Sequence, residues 1–160
     1  MNASDGIIER VEKQMMKGIG RWVADFTESF LKYRVGDVVF DLFISGNTRV
    51  KGFIFSRLFS FFLNPNYEVA FFAISTGDDN EPNPRRIRKW ILAVKSCMKR
   101  YEMKWAWLLL VGQPPSDSAA KCVKEATDRD VGIAYLDTNS HQVISADTYL
   151  GRQLKKYVKV

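Results

Sequence analysis

Two continuous apolar runs constrain the fold most: Trp105-Ala106-Trp107-Leu108-Leu109-Leu110-Val111 and, further along, Ile133-Ala134-Tyr135-Leu136. A strand without polar alternation has no face to turn toward water, so both runs fit strands covered on both sides, the environment of a parallel sheet. Between them Pro114-Pro115-Ser116 breaks the chain, and Ala119 to Thr127 reads as a short helix with Cys122, Val123 and Ala126 inward. Strand, helix and strand together make a βαβ unit.

The remaining elements follow from apolar periodicity. Ile8, Val11, Met15, Ile19, Trp22, Val23, Phe26 and Phe30 recur at helical spacing behind the candidate caps Ser4 and Asp5, which predicts one long helix to about Lys32. Val38 to Ile44 reads as a strand, Ser45-Gly46-Asn47-Thr48 as a turn, and Val50 to about Phe59 as a second strand, with 53–63 open to a partly helical reading. Val69 to Ser75 completes a predicted three-strand antiparallel meander. Pro84 suits the first turn of a helix running to about Tyr101, because its missing N–H would be unpaired there in any case. Val143-Ile144 reads as a short edge strand, and Asp147 as the cap of a final helix through Leu150, Leu154 and Tyr157.

No repeat or linker divides the chain, so residues 1–160 are read as a single domain. At 160 residues and 46% apolar, it can bury roughly two-thirds of the surface its unfolded form exposes. Cys97 and Cys122 sit in predicted helices and suggest neither a disulfide framework nor a zinc site, which favours a reducing compartment. No apolar run approaches the ~18 residues that span a bilayer, and Glu9, Glu12, Asp25 and Glu28 are unlike a signal peptide. The expectation is a cytoplasmic protein without a membrane partner.

The 24 Lys and Arg against 18 Asp and Glu leave a net charge of +6, which favours polyanionic partners through counterion release. Much of that charge sits on one helix. On the 85–101 segment, Ile87, Trp90, Ile91, Val94, Cys97, Met98 and Tyr101 share one side at 100° per residue. The other side collects Arg85, Arg86, Arg88, Lys89, Lys95, Lys99 and Arg100, with no acidic residue between. Like charges at i and i+4 repel, and cations in the first turn oppose the helix dipole. A helix shaped only for stability would mix in Glu. The face is therefore a candidate site for the backbone of DNA or RNA, with a solvated surface, or acids supplied by Asp78, Asp79 and Glu81, as the alternatives.

Asp41 lies among apolar neighbours in Val38-Val39-Phe40-Asp41-Leu42-Phe43-Ile44, where a carboxylate is costly unless it is paired or holds a metal. Pairing at a strand end is the plainer reading. Asp78, Asp79 and Glu81 follow a strand, where ligands of α/β sheets bind, but their setting also suits a surface loop. His141, the one histidine, lies in a polar turn and supports no catalytic triad. No glycine-rich phosphate loop is present. Phe53, Phe55, Phe59, Phe61 and Phe62 suit either core or a homodimer or protein-partner surface.

The order helix, meander, amphipathic helix, buried strand, short helix, buried strand resembles the restriction-endonuclease-like fold, the PD-(D/E)xK nuclease superfamily. The likeness rests on Val38-Val39-Phe40-Asp41 and on the half from Trp105–Val111 to Val131-Gly132-Ile133-Ala134-Tyr135-Leu136-Asp137. It implies an α/β three-layer sandwich whose mixed sheet joins an antiparallel meander to a parallel βαβ unit. It also implies Asp41 and Glu68 as catalytic and Mg²⁺-binding carboxylates, with water activated for phosphodiester cleavage. Tyr67-Glu68-Val69-Ala70 departs from the pattern, because Ala70 stands where the family has lysine; Lys51 is the alternative amine. The combined expectation is a nucleic-acid-associated domain of nuclease-like fold that binds through the basic helix, with catalysis doubtful. The alternatives are a protein-interaction or self-associating scaffold and a Mg²⁺-dependent nuclease.

Overall fold

The two apolar runs lie side by side at the centre of one sheet. The computed structural model describes residues 3–17, 24–48 and 68–158. Among these, six strands follow the order β1-β2-β3-β4-β5-β6: β1 Ala24–Val35, β2 Val38–Thr48, β3 Glu68–Thr76, β4 Trp105–Gly112, β5 Val131–Asp137 and β6 Val143–Ser145. β1, β2 and β3 form an antiparallel meander, β3, β4 and β5 run parallel, and β6 returns antiparallel on β5. The class is α/β with a mixed, open sheet.

Helices cover both faces. α2 (Pro84–Arg100) and α3 (Asp117–Glu125), the two crossovers, share one face with Phe72, Leu108, Leu110 and Ile133. That placement is required when successive right-handed crossovers step the same way along a sheet. α1 (Ala3–Lys17) and α4 (Tyr149–Tyr157) close the other face over Phe71, Trp107, Leu109 and Leu136. Both β4 and β5 are buried along nearly their whole length, as unbroken apolar runs demand.

Local chemistry sets the helix ends. Asn83 caps α2 by accepting from the Arg86 N–H at 2.9 Å, with Pro84 in the first turn. Beyond its last turn, Glu102 adopts a left-handed φ of 55°. The Met103 N–H then donates to the Met98 carbonyl at 2.8 Å and Glu102 N–H to Lys99 O, a Schellman closure with both methionines buried. Ser116 caps α3. Thr148, rather than the expected Asp147, caps α4 by accepting from Gly151 N–H at 3.1 Å.

Three expectations are corrected in the N-terminal half. The long helix to Lys32 does not form: α1 ends at Lys17 and 24–35 is strand. Phe26, Phe30 and Tyr33 mimic a helical stripe, four and three positions apart, because this strand is irregular. Its register slips between Phe26 and Glu28, and Lys32 turns through a left-handed φ of 52°. Ser45-Gly46-Asn47-Thr48 is strand, not turn. Gly46 lies against the slip, where a Cβ would meet Phe26 Cα at 2.7 Å, so the glycine marks a close approach. The hairpin turn is instead Gly36-Asp37, with Gly36 at φ 61°, the two-residue loop that puts glycine first. Third, β2 pairs with β1 on one edge and directly with β3 on the other, so the meander is built from 24–35, 38–48 and 68–76 and not from 38–44, 50–59 and 69–75. The expected strand over 50–59, Lys51 and the cluster Phe53 to Phe62 lie outside the described residues.

Candidate nucleic-acid interface

Of the apolar face its periodicity predicts, α2 buries Ile87, Trp90, Val94, Cys97 and Met98, while Tyr101, past the helix end, is exposed. Of its seven basic residues, two do not face outward freely. Arg86 folds back over the preceding loop, its guanidinium donating to the carbonyls of Glu81 at 2.9 Å and Asp79 at 2.5 Å. Lys95 pairs at 3.0 Å with Asp128, a largely buried carboxylate whose other oxygen accepts from the Asp130 and Val131 N–H groups. Both residues serve the fold, by pinning the loop before α2 and the turn before β5. They leave the candidate surface.

Arg85, Arg88, Lys89, Lys99 and Arg100 remain on an exposed stripe, with Leu92 and Ser96 between them. From Arg85 to Lys99 the stripe runs about 21 Å at 1.5 Å per residue. Lys89 meets Asp37 of the hairpin turn at 2.7 Å. Its ammonium holds the Asp37 carboxyl below the usual carboxylate range by hydrogen bond and charge, but an exposed pair of this kind contributes little. Arg100 lies 5.6 Å from the centre of the Tyr101 ring. Arg85, Arg88 and Lys99 have no carboxylate partner among the described residues.

Among the described ion pairs, neither Asp79 nor Glu81 meets a cation of this stripe. Glu81 turns to the other side of its loop and accepts the Ser116 N–H at 2.7 Å, the contact that holds its carboxyl below the ordinary value. Asp79 offers Arg86 its backbone carbonyl. The first turn of α2 contains no acid. Arg85 thus stands exposed beside the positive end of the helix dipole.

Two grooves flank the ridge made by Arg88 and Leu92. One, of about 570 Å³, separates α2 from α3 over Ile87, Ile91, Cys122 and Ala126. The other, of about 480 Å³, separates α2 from the Gly36-Asp37 turn.

The structure does not bring the expected catalytic carboxylates together. Asn47 pairs with Glu68 and Leu42 with Ala73, so Asp41 and Glu68 lie at opposite ends of the β2–β3 ladder, about 20 Å apart at ~3.3 Å per residue. Ile74, Ser75 and Thr76, next to Asp41 across that ladder, supply neither carboxylate nor amine. The Asp41 carboxylate is already engaged. One oxygen accepts the Ser75 N–H at 2.6 Å and the other pairs with Lys32, whose ammonium is held above its ordinary pKa by that bond and charge. The alternation of inward residues along β2 changes phase here, from Val38 and Phe40 on one face to Leu42 and Ile44 on the other. Asp41 therefore locks an irregular point shared by three strands. Among the described residues, no three His, Cys, Asp or Glu side chains converge to hold a metal ion.

Asp137, at the end of β5, is a buried acid that sequence reasoning missed. It accepts from Asn139 N–H at 2.8 Å and Ser140 Oγ at 2.6 Å. Burial would raise its pKa; these bonds and nearby His141 outweigh burial and lower it. The readable signal was Asp-x-Asn-Ser after a strand, a side-chain-stabilised turn. His141 belongs to the same turn, at a left-handed φ of 57°. The chain has no significant match to any protein-family model, curated protein or solved structure. No helix among the described residues is long and apolar enough to cross a membrane.

Proposed function

We propose that this chain is a nucleic-acid-associated domain that holds the phosphate backbone of DNA or RNA on the outward stripe of α2. The observation that carries the reading is a 17-residue helix with no acidic residue, on which Arg85, Arg88 and Lys99 have no carboxylate partner among the described residues while Arg86 and Lys95 are taken up by the fold. Phosphate contacts from such a stripe position a partner without reading its sequence. The helix, meander and parallel βαβ order supports a restriction-endonuclease-like sandwich as the scaffold. Cleavage has less support, because Asp41 is committed to Lys32 and Ser75 and Glu68 stands far from it. A self-associating scaffold would rest on Phe53 to Phe62, outside the described residues.

Fluorescence anisotropy with labelled DNA and RNA, single- and double-stranded, tests the proposal over a series of salt concentrations. Binding by Arg85, Arg88 and Lys99 to duplex predicts a slope of log affinity on log salt of about −2.7, at −0.9 per phosphate. Arg85→Glu, Arg88→Glu and Lys99→Glu together abolish it, while Lys121→Glu on α3 does not. Affinity no better than about 10⁻⁴ M at low salt, or equal binding by the triple variant, refutes the reading.

A further inference from the structure

The far edge of the sheet carries a second recognition feature, independent of the stripe on α2. β6 is three residues long and pairs with β5 through Leu136 with Val143, Tyr135 with Ile144 and Ala134 with Ser145. The Asp137 N–H donates to Gln142 O and the Ala146 N–H to Ile133 O, so residues 142, 144 and 146 direct their backbone groups at β5. Antiparallel pairing alternates. The N–H and C=O groups of Val143 and Ser145 consequently point away from the sheet. No described strand lies beyond them.

This edge forms the floor of a slot. α3 belongs to one face of the sheet and α4 to the other, and both reach β6. The space between them along 142–147 is about 1000 Å³, and its far end is closed where the Asp147 N–H donates to the Lys124 carbonyl at 3.0 Å. Lys124 stands on the α3 wall and Lys155 on the α4 wall. Of the other charges there, Asp147 binds Arg152 at 2.6 Å, and Glu125 stands 3.9 Å from Lys121. Among the described residues, Lys124 and Lys155 have no carboxylate partner, one on each wall.

We infer that this slot takes an extended acidic segment of a partner protein, added to the sheet as a strand beside β6. Main-chain bonds to Val143 and Ser145 supply the pairing, and side chains alternating to the two walls supply the specificity. Adjacent acidic residues on the partner would reach Lys124 on one wall and Lys155 on the other. A second copy of β6 is disfavoured as occupant, since it would bring its own lysines against these, the way short, lysine-flanked edges avoid self-pairing.

The probe is a fluorescein-labelled peptide, Val-Glu-Glu-Val-Glu-Glu-Val, titrated against the full chain at low salt with Val-Lys-Lys-Val-Lys-Lys-Val as its counterpart. The acidic peptide binds and the basic one does not. Ser145→Pro removes an outward N–H without touching the β5 ladder and lowers affinity at least tenfold, with folding checked by its circular dichroism. Lys124→Glu with Lys155→Glu, which leaves the backbone edge intact, reverses the preference toward the basic peptide. No binding of the acidic peptide overturns the inference. So does equal binding by a folded Ser145→Pro variant, which would mean charge attraction without strand pairing, or concentration-dependent dimerisation lost in Ser145→Pro, which would make a second copy the occupant.

Discussion

Replacing Asp41 with alanine tests whether the irregular point in the meander is held by the carboxylate or merely tolerated by it. The substitution strips the Ser75 N–H of an acceptor at 2.6 Å. Hydrogen bonds to charged groups are worth about 1.5–3 kcal/mol. The second contribution is smaller: the Lys32 side chain is 68% exposed and that of Asp41 16%, so solvent screening leaves their pairing below about 1 kcal/mol. Asp41→Ala is therefore expected to cost about 2–4 kcal/mol, most of it through Ser75. Lys32→Gly removes the ion pair but relieves a left-handed backbone worth about 1–2 kcal/mol in a residue with a Cβ, less the ~0.5–1 kcal/mol of added chain entropy. Its net effect should be close to zero. Urea unfolding followed by tryptophan fluorescence reads both, with the buried Trp90 and Trp107 as reporters. At a slope near 2 kcal/mol/M, Asp41→Ala should lower the midpoint by about 1–2 M without changing the slope. A shift under about 0.3 M, or a Lys32→Gly loss as large as that of Asp41→Ala, would show that the N–H bond is not what holds the kink.

Glu102→Gly should stabilise the fold by up to about 1 kcal/mol in the same assay, because Glu102 occupies the left-handed position of a helix closure where glycine carries no Cβ penalty. Gly112→Ala should destabilise by about 1–3 kcal/mol and lower the thermal midpoint, since its Cβ would meet the Tyr135 hydroxyl at 2.5 Å and the Thr76 carbonyl at 2.6 Å. The lowered pKa of Asp137 sets an acid limit: its contribution is fully present above the ordinary value of 3.8 and is lost as pH falls through the lower folded value. Unfolding free energies measured downward from pH 5 should thus fall more steeply in the parent than in Asp137→Asn below about pH 4.

Much of the fold was legible wherever burial alone determines the pattern. Trp105 to Val111 and the run ending at Leu136 had no way to satisfy water on either side, so the sequence determined two covered parallel strands and the helices over them. Pro84 and the apolar stripe of α2 likewise specified a helix start and a buried face through a fixed backbone angle and a 3.6-residue period. Tertiary structure decided what depends on a distant partner. Residues 24–35 imitate a helix in sequence and became strand because β2 supplies the ladder, with a register slip at Phe26 and a turn at Lys32 that erase the two-residue period. Gly46 reads as a turn residue until Phe26 is packed against it. The candidate site shows the same division. The sequence placed seven cations on one helix, but only the fold could assign Arg86 to the Glu81 and Asp79 carbonyls and Lys95 to Asp128, leaving Arg85, Arg88 and Lys99 open. The separation of Asp41 from Glu68 was equally hidden, because ladder register is fixed by long-range pairing that no local spacing encodes.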